Sequence, residues 1–555
     1  MFLVWLSKIN PVVGPSRFGK LGFCGSTCES VMPYFLSAKR LGFNLCHYNT
    51  PMQFFRSFGI LAARVCAAAM LLTTASVAQA APGEPLQPEN PTGVYPSPGN
   101  TVFGVEMAYI NTEWGLEYVK QTDVRMVRKN GLIWSQVEAS EGQRNWDSQA
   151  ALEQELRNAA AQNWEVMLVV RSAPAWAQAD PPWHCSTVLD NKLAAFGAFV
   201  HDAVARYSQP PFSVKYFEIW NEPDVDHRPF FPNTPNFQSW YWPFGCMGDY
   251  TDSYYGGAHF AKMMQAAYAP AKAANPTAQV LVGGLLYSCK PPINFDVNNI
   301  YCNMGRFMEG VLRGGGGPYF DGISFHAYDY YCNRNTSPMV GHCESYTTSD
   351  YANRDWQTSS QTLPSVIVAK ARQLKTTLAN YGLSGKTLYA SESAIICELD
   401  TGGRCAAIPG QRDADYELMK AYYTPRLMAG GMVEGLQGVF YYDVRDYCEN
   451  QDPFGSSLLN CDGSYRPAAY AFKFATQKLH NATYKREITE YAGLTGYEFD
   501  RAGRKLWVIW TKDRAAHSIR LPRLPVGMWD AQGNALAPTP VVSIGQNTTY
   551  VEWAR

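Results

Sequence analysis

Apolar positions along this chain follow two rhythms. Between residues 102 and 442, short apolar runs alternate with longer stretches in which apolar side chains recur every three or four positions. The short runs fall at 102–108, 124–128, 166–171, 216–221, 280–285, 322–328, 387–391 and 438–442, and predict eight strands. The longer stretches include 151–163, 193–207, 258–273, 365–381 and 415–429, and predict helices; 466–479 predicts a last one. Strands alternating with helices specify a parallel sheet, and eight in one unit specify closure. The expected fold class is therefore α/β, a (β/α)₈ TIM barrel over residues 101–480. An open doubly wound sheet fits less well, because no Gly-rich phosphate turn follows the first run. The glycines at 314–317 lack a following Lys-Ser/Thr and read as a turn.

From about Asn481 the period shortens to two. Segments 497–499, 506–510, 516–521, 541–544 and 549–553 alternate between Gly, Pro and Asn turns. They predict a small C-terminal β-sandwich over 481–555, which a strand from 83–100 would complete. Residues 81–100 form a Pro-rich, extended linker. Residues 1–80 read as leader and secretory signal. Arg56 and Arg64 supply the positive flank, 65–78 the short apolar run, and Ala78-Gln79-Ala80 the small-x-small cleavage site. Met52 stands where a start codon would, so 1–51 reads as an upstream extension. The apolar run is too short, and too close to Arg64, to span a bilayer.

Composition narrows the partners. A net charge of −1 with no basic stripe excludes electrostatic binding to nucleic acid or to a membrane surface. Of 14 cysteines, Cys24, Cys28, Cys46 and Cys66 precede the cleavage site, which leaves an even number in the mature chain. No Cys-x-x-Cys occurs there, so loop-stapling disulfides of a secreted or periplasmic protein are expected. Short separation pairs Cys289 with Cys302, Cys332 with Cys343, Cys397 with Cys405, and Cys448 with Cys461; elimination pairs Cys185 with Cys246. No His-Glu-x-x-His is present, and Asp224, Asp226 and His227 read as loop polar groups facing substrate. No metal and no cofactor are expected. The aromatic content of 14% is high, and part of it suits stacking on sugar rings.

The chemistry sits at strand ends. Tyr216-Phe217-Glu218-Ile219-Trp220-Asn221-Glu222-Pro223 is a strand that stops at an Asn-Glu-Pro turn. The carboxyl end of a barrel strand is where such folds carry catalytic groups. Leu388-Tyr389-Ala390-Ser391-Glu392 places a second Glu at a strand exit. Glycoside cleavage needs two carboxyl groups flanking one bond, one to protonate the leaving oxygen and one to attack or to activate water. Glu222 and Glu392 are the expected pair. Glu218, mid-strand, and Glu398, inside the 397–405 loop, rank behind them.

These stretches resemble clan A glycoside hydrolases, and within them family 39. The resemblance runs through Val127-Arg128, Trp134-Ser135-Gln136-Val137-Glu138 with Gly142, Trp220-Asn221-Glu222-Pro223, Ser324-Phe325-His326-Ala327-Tyr328, Ser391-Glu392 and residues 455–472. It covers about residues 101–480. It implies a retaining enzyme acting on carbohydrate by double displacement. Glu222 would be acid and then base, and Glu392 the nucleophile. Asn221 would bond the sugar 2-hydroxyl, Arg128 would keep Glu392 ionised, Tyr328 would donate to Glu392, and His326 would orient the site or touch substrate. Trp176 and Trp220 are stacking candidates. Many clan members carry a Trp on the eighth strand; here Tyr441 and Tyr442 take its place, with Tyr441 assigned to the substrate. A transglycosidase using the same residues and a non-catalytic carbohydrate-binding barrel are the competing readings.

Overall fold

The structure is a computed structural model that describes residues 101–180, 185–225, 246–249, 251–290, 300–332, 350–353, 355–360, 365–397, 414–445 and 455–554. The linker, the leader and the region around Asp226, His227 and Glu398 lie outside these residues. Among the described residues, no helix is long and apolar enough to cross a membrane.

Eight parallel strands close into a barrel. They are β1 (Val102–Glu106), β2 (Met126–Ile133), β3 (Glu165–Arg171), β4 (Tyr216–Ile219), β5 (Gln279–Leu285), β6 (Gly322–Cys332), β7 (Thr387–Ile396) and β8 (Gly438–Tyr441). β1 pairs with both β2 and β8, and β5 with β6, so no edge is left in the ring. Besides a one-turn helix at Trp134–Val137, the described α-helices around the barrel are α1 (Leu116–Val119), α2 (Ala150–Ala161), α3 (Leu193–Tyr207), α4 (Gly257–Ala274), α5 (Phe307–Arg313), α6 (Val366–Asn380), α7 (Ala414–Val433) and, after β8, α8 (Pro467–Leu479). In α3 the buried side chains Phe196, Phe199, Val200, Ala203, Val204 and Tyr207, with Gly197 among them, form a single stripe that seals the outside of the barrel wall. An antiparallel hairpin, Asp350–Asn353 with Thr358–Ser359, extends the sheet beyond β6.

Inside the barrel, Met126, Met167, Tyr216, Leu281, Tyr389 and Phe440 fill an apolar layer. Strand residues alternate faces, so the inward positions two residues later are Arg128 on β2 and Glu218 on β4. The layer above the apolar plug is therefore charged, and it floors the mouth at the carboxyl ends of the strands.

Two irregularities aim the functional residues. β7 carries an extra residue relative to both neighbours: Phe325 and His326 of β6 face Ala390 and Glu392, while Val439 and Tyr441 of β8 face Ala390 and Ser393. This bulge re-aims the strand, as bulges beside active sites do, and brings Glu392 into register with His326. On β5, a Cβ at Gly284 would lie 2.5 Å from His326 Nε2 and 3.0 Å from Arg128 Nη2, so only glycine leaves room for both.

The C-terminal part has β9 (Ala482–Ile488), β10 (Leu494–Arg501), β11 (Arg504–Thr511), β12 (His517–Arg520), β13 (Gly527–Trp529), β14 (Ala535–Leu536), β15 (Val541–Ile544) and β16 (Thr549–Trp553). Six form one antiparallel sheet, ordered β9-β10-β11-β16-β13-β14, and β12 pairs with β15. Period two divides the large sheet. Trp507 and Ile509 face a core with Ile519, Val542 and Ile544, while Leu506, Val508 and Trp510 join the core of the barrel. α7 and α8 carry the junction: Arg426 Nε donates to Thr548 Oγ1 at 2.9 Å, Lys478 pairs with Glu552 at 2.6 Å, and Phe474 packs on Tyr550. The hydrophobic pattern missed β9, whose middle is charged and exposed, and the short β13 and β14.

Of the expected disulfides, Cys185–Cys246 is present. Cys289, Cys332, Cys397 and Cys461 are each disulfide-bonded. The partners expected for them, Cys302, Cys343, Cys405 and Cys448, have side chains outside the described residues.

Candidate active site

β4 ends at Ile219, and the chain turns through two left-handed residues, Trp220 (φ 72°) and Glu222 (φ 43°). Such conformations cost about 1–3 kcal/mol each for non-glycine residues and persist only where the surroundings over-determine them. Here the Glu222 amide donates to the Gly284 carbonyl of β5 at 3.0 Å, and the Trp220 side chain is fully buried. The turn presents Asn221 and Glu222 to the mouth.

Arg128 is the centre of the charged layer, with no exposed surface. Its Nη1 donates to Glu106 Oε2 and, at 2.5 Å, to Glu392 Oε1. Its Nη2 donates at 2.5 Å to Glu218 Oε1 and to Asn221 Oδ1. Because guanidinium only donates, it fixes the Asn221 amide with oxygen inward, which leaves the Nδ2 group as the donor towards a ligand. Four carboxylic acids and one guanidinium thus share a buried space with His326, whose Nδ1 lies 2.7 Å from Glu222 Oε1 and 3.3 Å from Glu392 Oε2. Tyr328 donates its hydroxyl to Glu392 Oε2. Oxygens of Glu222 and Glu392, together with the His326 nitrogen, all lie within 4.8 Å of one another. Arg128 already places a positive charge on Glu392, so this cluster favours carboxyl chemistry over cation binding.

The two carboxyl groups differ in what stabilises charge. Burial pushes Glu222 well above the usual carboxylate range, and Glu392 and Asp224 push it further. Its Oε2 is buried and makes no hydrogen bond among the described residues. Burial, with Glu106 beside it, also raises Glu392, but Arg128 and Tyr328 oppose this by direct hydrogen bonds to its charged form. Glu392 thus has hydrogen bonds from a cation and a hydroxyl that favour its charged form, and Glu222 is raised without them. His326 is neutral, because burial, Arg128 and Lys370 all hold its imidazole well below its ordinary value.

A second buried network lies behind His326. Lys370, from α6, donates to the carbonyls of His326 (2.9 Å) and Leu286 (2.6 Å). Burial lowers it to about 8. Asp224 accepts the amides of Leu286 and Tyr287, and Asp329 binds Tyr423, Thr358 and the Val366 amide. Burial raises both acids to about 6. Asp224 thus ties the β4 turn to the end of β5 instead of facing a substrate, a correction to the sequence reading.

Six of the eight expected site residues meet here: Glu222, Glu392, Asn221, Arg128, His326 and Tyr328. Two do not join the cluster. Tyr441 is fully buried, packs on Phe472 and donates to the Ser456 carbonyl at 3.1 Å. It points outward from β8 because strand neighbours face opposite sides. The next residue, Tyr442, is half-buried and meets Tyr328 edge-on at 5.8 Å. Trp176 sits edge-on against Trp134 at 5.3 Å and donates to the Glu138 carbonyl at 3.0 Å. Glu138 itself accepts from Trp134, Gly142 and Arg144, so the Trp-Ser-Gln-Val-Glu stretch builds the loop after β2. Trp220 is core. Glu106, Glu218 and Lys370 are the members the sequence reading did not place. The period-two position of Glu218 was the available signal for an inward carboxylate.

No protein-family model matches the chain, and no curated protein matches it. Among solved structures it is similar to a family 39 glycoside hydrolase from the gut symbiont Bacteroides cellulosilyticus, at 17% identity over 81% of this chain and 80% of that one, with a TM-score of 0.56. It is also similar to a conserved exported protein from Bacteroides fragilis, at 10% identity over 82% of this chain and 98% of that one, with a TM-score of 0.53. At such identities the likeness is one of fold. The chain has the closed eight-stranded parallel barrel fold, similar to that of a family 39 glycoside hydrolase.

Proposed function

We propose that the protein is a retaining glycoside hydrolase that cleaves an O-glycosidic bond of an oligo- or polysaccharide. One observation carries the reading. The buried carboxyl group of Glu222 and the Arg128-held carboxyl group of Glu392 bring oxygens within 4.8 Å of one another at the exits of β4 and β7. Retaining pairs are about 5–5.5 Å apart, and inverting pairs about 6.5–9.5 Å, to admit a water. Glu222, with its unpartnered Oε2, would protonate the leaving oxygen. Glu392 would attack the anomeric carbon and form a glycosyl ester. Glu222, now ionised, would then take a proton from the water that hydrolyses the ester. Asn221 Nδ2 would donate to a sugar hydroxyl, and neutral His326 would steady the Glu222 carboxyl through Nδ1. The family 39 neighbour raises the prior for this chemistry without carrying it.

The likeness to an exported protein, the disulfide and the signal-like 53–80 segment support a place outside the cytoplasm, either secreted or periplasmic. Screening a panel of aryl glycosides and polysaccharides, with the anomeric configuration of the first-formed product read by proton NMR, tests the proposal. Retention is expected. Inversion rejects the double displacement, and binding without turnover on the whole panel favours a non-catalytic carbohydrate-binding barrel.

A further inference from the structure

Glu106 ends β1 and stands in register with Arg128 across β1 and β2. Its side chain is the most exposed of the three carboxylates on Arg128, at 11% against 9% for Glu392 and 0% for Glu218. It shares Arg128 Nη1 with Glu392, and the two carboxyl groups lie within hydrogen-bonding reach of each other. Two carboxylates on one guanidinium nitrogen repel unless a proton lies between them.

We infer that Glu106 and Glu392 hold one proton between them in the free protein, and that Glu106 releases it when Glu392 becomes esterified. Glu106 is then a positioning residue for the nucleophile. The inference rests on the glycosidase reading for its second half only; the shared proton stands or falls by itself.

Glu392 accepts from Arg128 and from Tyr328, whereas Glu106 accepts from Arg128. The two groups compete for the proton: direct hydrogen bonds from Arg128 and Tyr328 favour the charge on Glu392, while its burial and the charge of Glu106 favour the proton there. The charged groups facing Glu106 are Arg128 and Lys129 from β2, Glu218 from β4 and Glu392 from β7. After β8 the neighbour is the Val444 amide, on the Glu106 carbonyl. Burial raises Glu106, Arg128 lowers it, Glu218 raises it, and its hydrogen bond with Glu392 lowers it, with a net rise.

Charge balance gives the pair its use. In the first step the bond from Glu392 to the anomeric carbon forms, the bond to the leaving oxygen breaks, and that oxygen takes the Glu222 proton. Glu392 loses its negative charge to the ester, and Arg128 Nη1 loses an anionic partner. Glu106 ionises in its place and its proton leaves to solvent. Hydrolysis restores Glu392 as a carboxylate, and Glu106 takes a proton back. Arg128 keeps a full complement of charge throughout.

Infrared spectroscopy of the carboxylic-acid carbonyl stretch at about neutral pH tests the first half without any substrate. Wild-type protein should show two buried protonated acids. Glu222→Gln should remove one and Glu106→Gln the other. A full signal in Glu106→Gln overturns the inference. Should that variant not fold, wild type and Glu222→Gln decide: a single protonated acid, lost entirely in Glu222→Gln, overturns it. Kinetics tests the second half. With an aryl glycoside whose leaving group needs no protonation, the basic limb of kcat/KM should rise by at least about one pH unit in Glu106→Gln. Glu106→Ala, which lacks the donor, should lose about 100-fold in kcat. An unmoved limb in a folded, active Glu106→Gln overturns the catalytic role. Absence of activity in the wild type would instead reject the glycosidase reading and leave the infrared result to decide the shared proton.

Discussion

His326 faces Glu392 in register across β6 and β7, yet its Nδ1 lies closer to Glu222, at 2.7 Å against 3.3 Å. A neutral imidazole in this place touches both carboxyl groups without adding charge. Of these two acids only Glu392 accepts hydrogen bonds from Arg128 and Tyr328, and that is the difference between them.

This asymmetry predicts different failures for the two acids. Glu392→Ala should lose turnover on every substrate by several orders of magnitude, because no ester can form. Glu222→Ala should still form the ester from an aryl glycoside with a good leaving group, and should accumulate it. Azide should then restore turnover in Glu222→Ala and give a glycosyl azide of retained configuration. In Glu392→Ala it should attack from the vacated face and give the inverted product. Swapped stereochemistry in the two azide products would show that the roles are exchanged.

The Tyr pair on β8 separates substrate contact from packing. Tyr442→Ala, which opens the face beside Tyr328, should raise KM by about tenfold or more with little change in stability. Tyr441→Phe removes a buried hydroxyl that donates to Ser456, so it should cost about 1 kcal/mol of stability and leave KM unchanged. Urea unfolding and steady-state kinetics on both variants check this, and the reverse pattern would return Tyr441 to the site.

Lys370 gives stability an alkaline dependence. Its pKa falls from 10.5 unfolded to about 8 folded. Between these values the unfolded chain binds the extra proton, so stability rises with pH through this window and is flat for this group outside it. The full difference is about 3 kcal/mol. Asp224 and Asp329 act in the opposite sense: their pKa rises from 3.8 to about 6, so stability falls as pH rises through that window. Lys370→Met should abolish the alkaline rise in urea midpoints while retaining the acidic fall. A wild-type curve flat above pH 8 would refute the assignment.

The Cys185–Cys246 bridge spans 61 residues of sequence. Closing a loop of that size contributes about 4 kcal/mol in the chain-entropy account. Replacing both cysteines by Ala should lower stability by roughly that amount without removing the carboxyl pair. Non-reducing peptide maps should also show Cys289–Cys302, Cys332–Cys343, Cys397–Cys405 and Cys448–Cys461, and crossed pairs or free thiols would refute these assignments.

The barrel was legible in the sequence because its signal is local. A strand buried on both faces is apolar over a short run, and a helix on the wall repeats near 3.6, so β3, β5, α3 and α6 stand out from neighbours alone. The strand-end rule then found Glu222 and Glu392 without any long-range information. Strand β9 escaped, since an exposed edge strand such as Lys485-Arg486-Glu487 has no apolar alternation to detect.

What only the tertiary structure decided is which side chains meet. The bulge at Ser391-Glu392 depends on two neighbouring strands, so sequence could place Glu392 at a strand end but not in register with His326. The same holds for direction: Tyr441 and Tyr442 are equivalent by composition, and the pleat sends one to the core and the other towards Tyr328. Glu106, Glu218 and Glu392 come from β1, β4 and β7, and nothing in their separate sequences marks them as partners of one guanidinium. The sequence determined where carboxyl groups lie along strands, because strand burial is a property of the segment. Closure of the ring decided which of them share Arg128, because that is a property of the distances between segments.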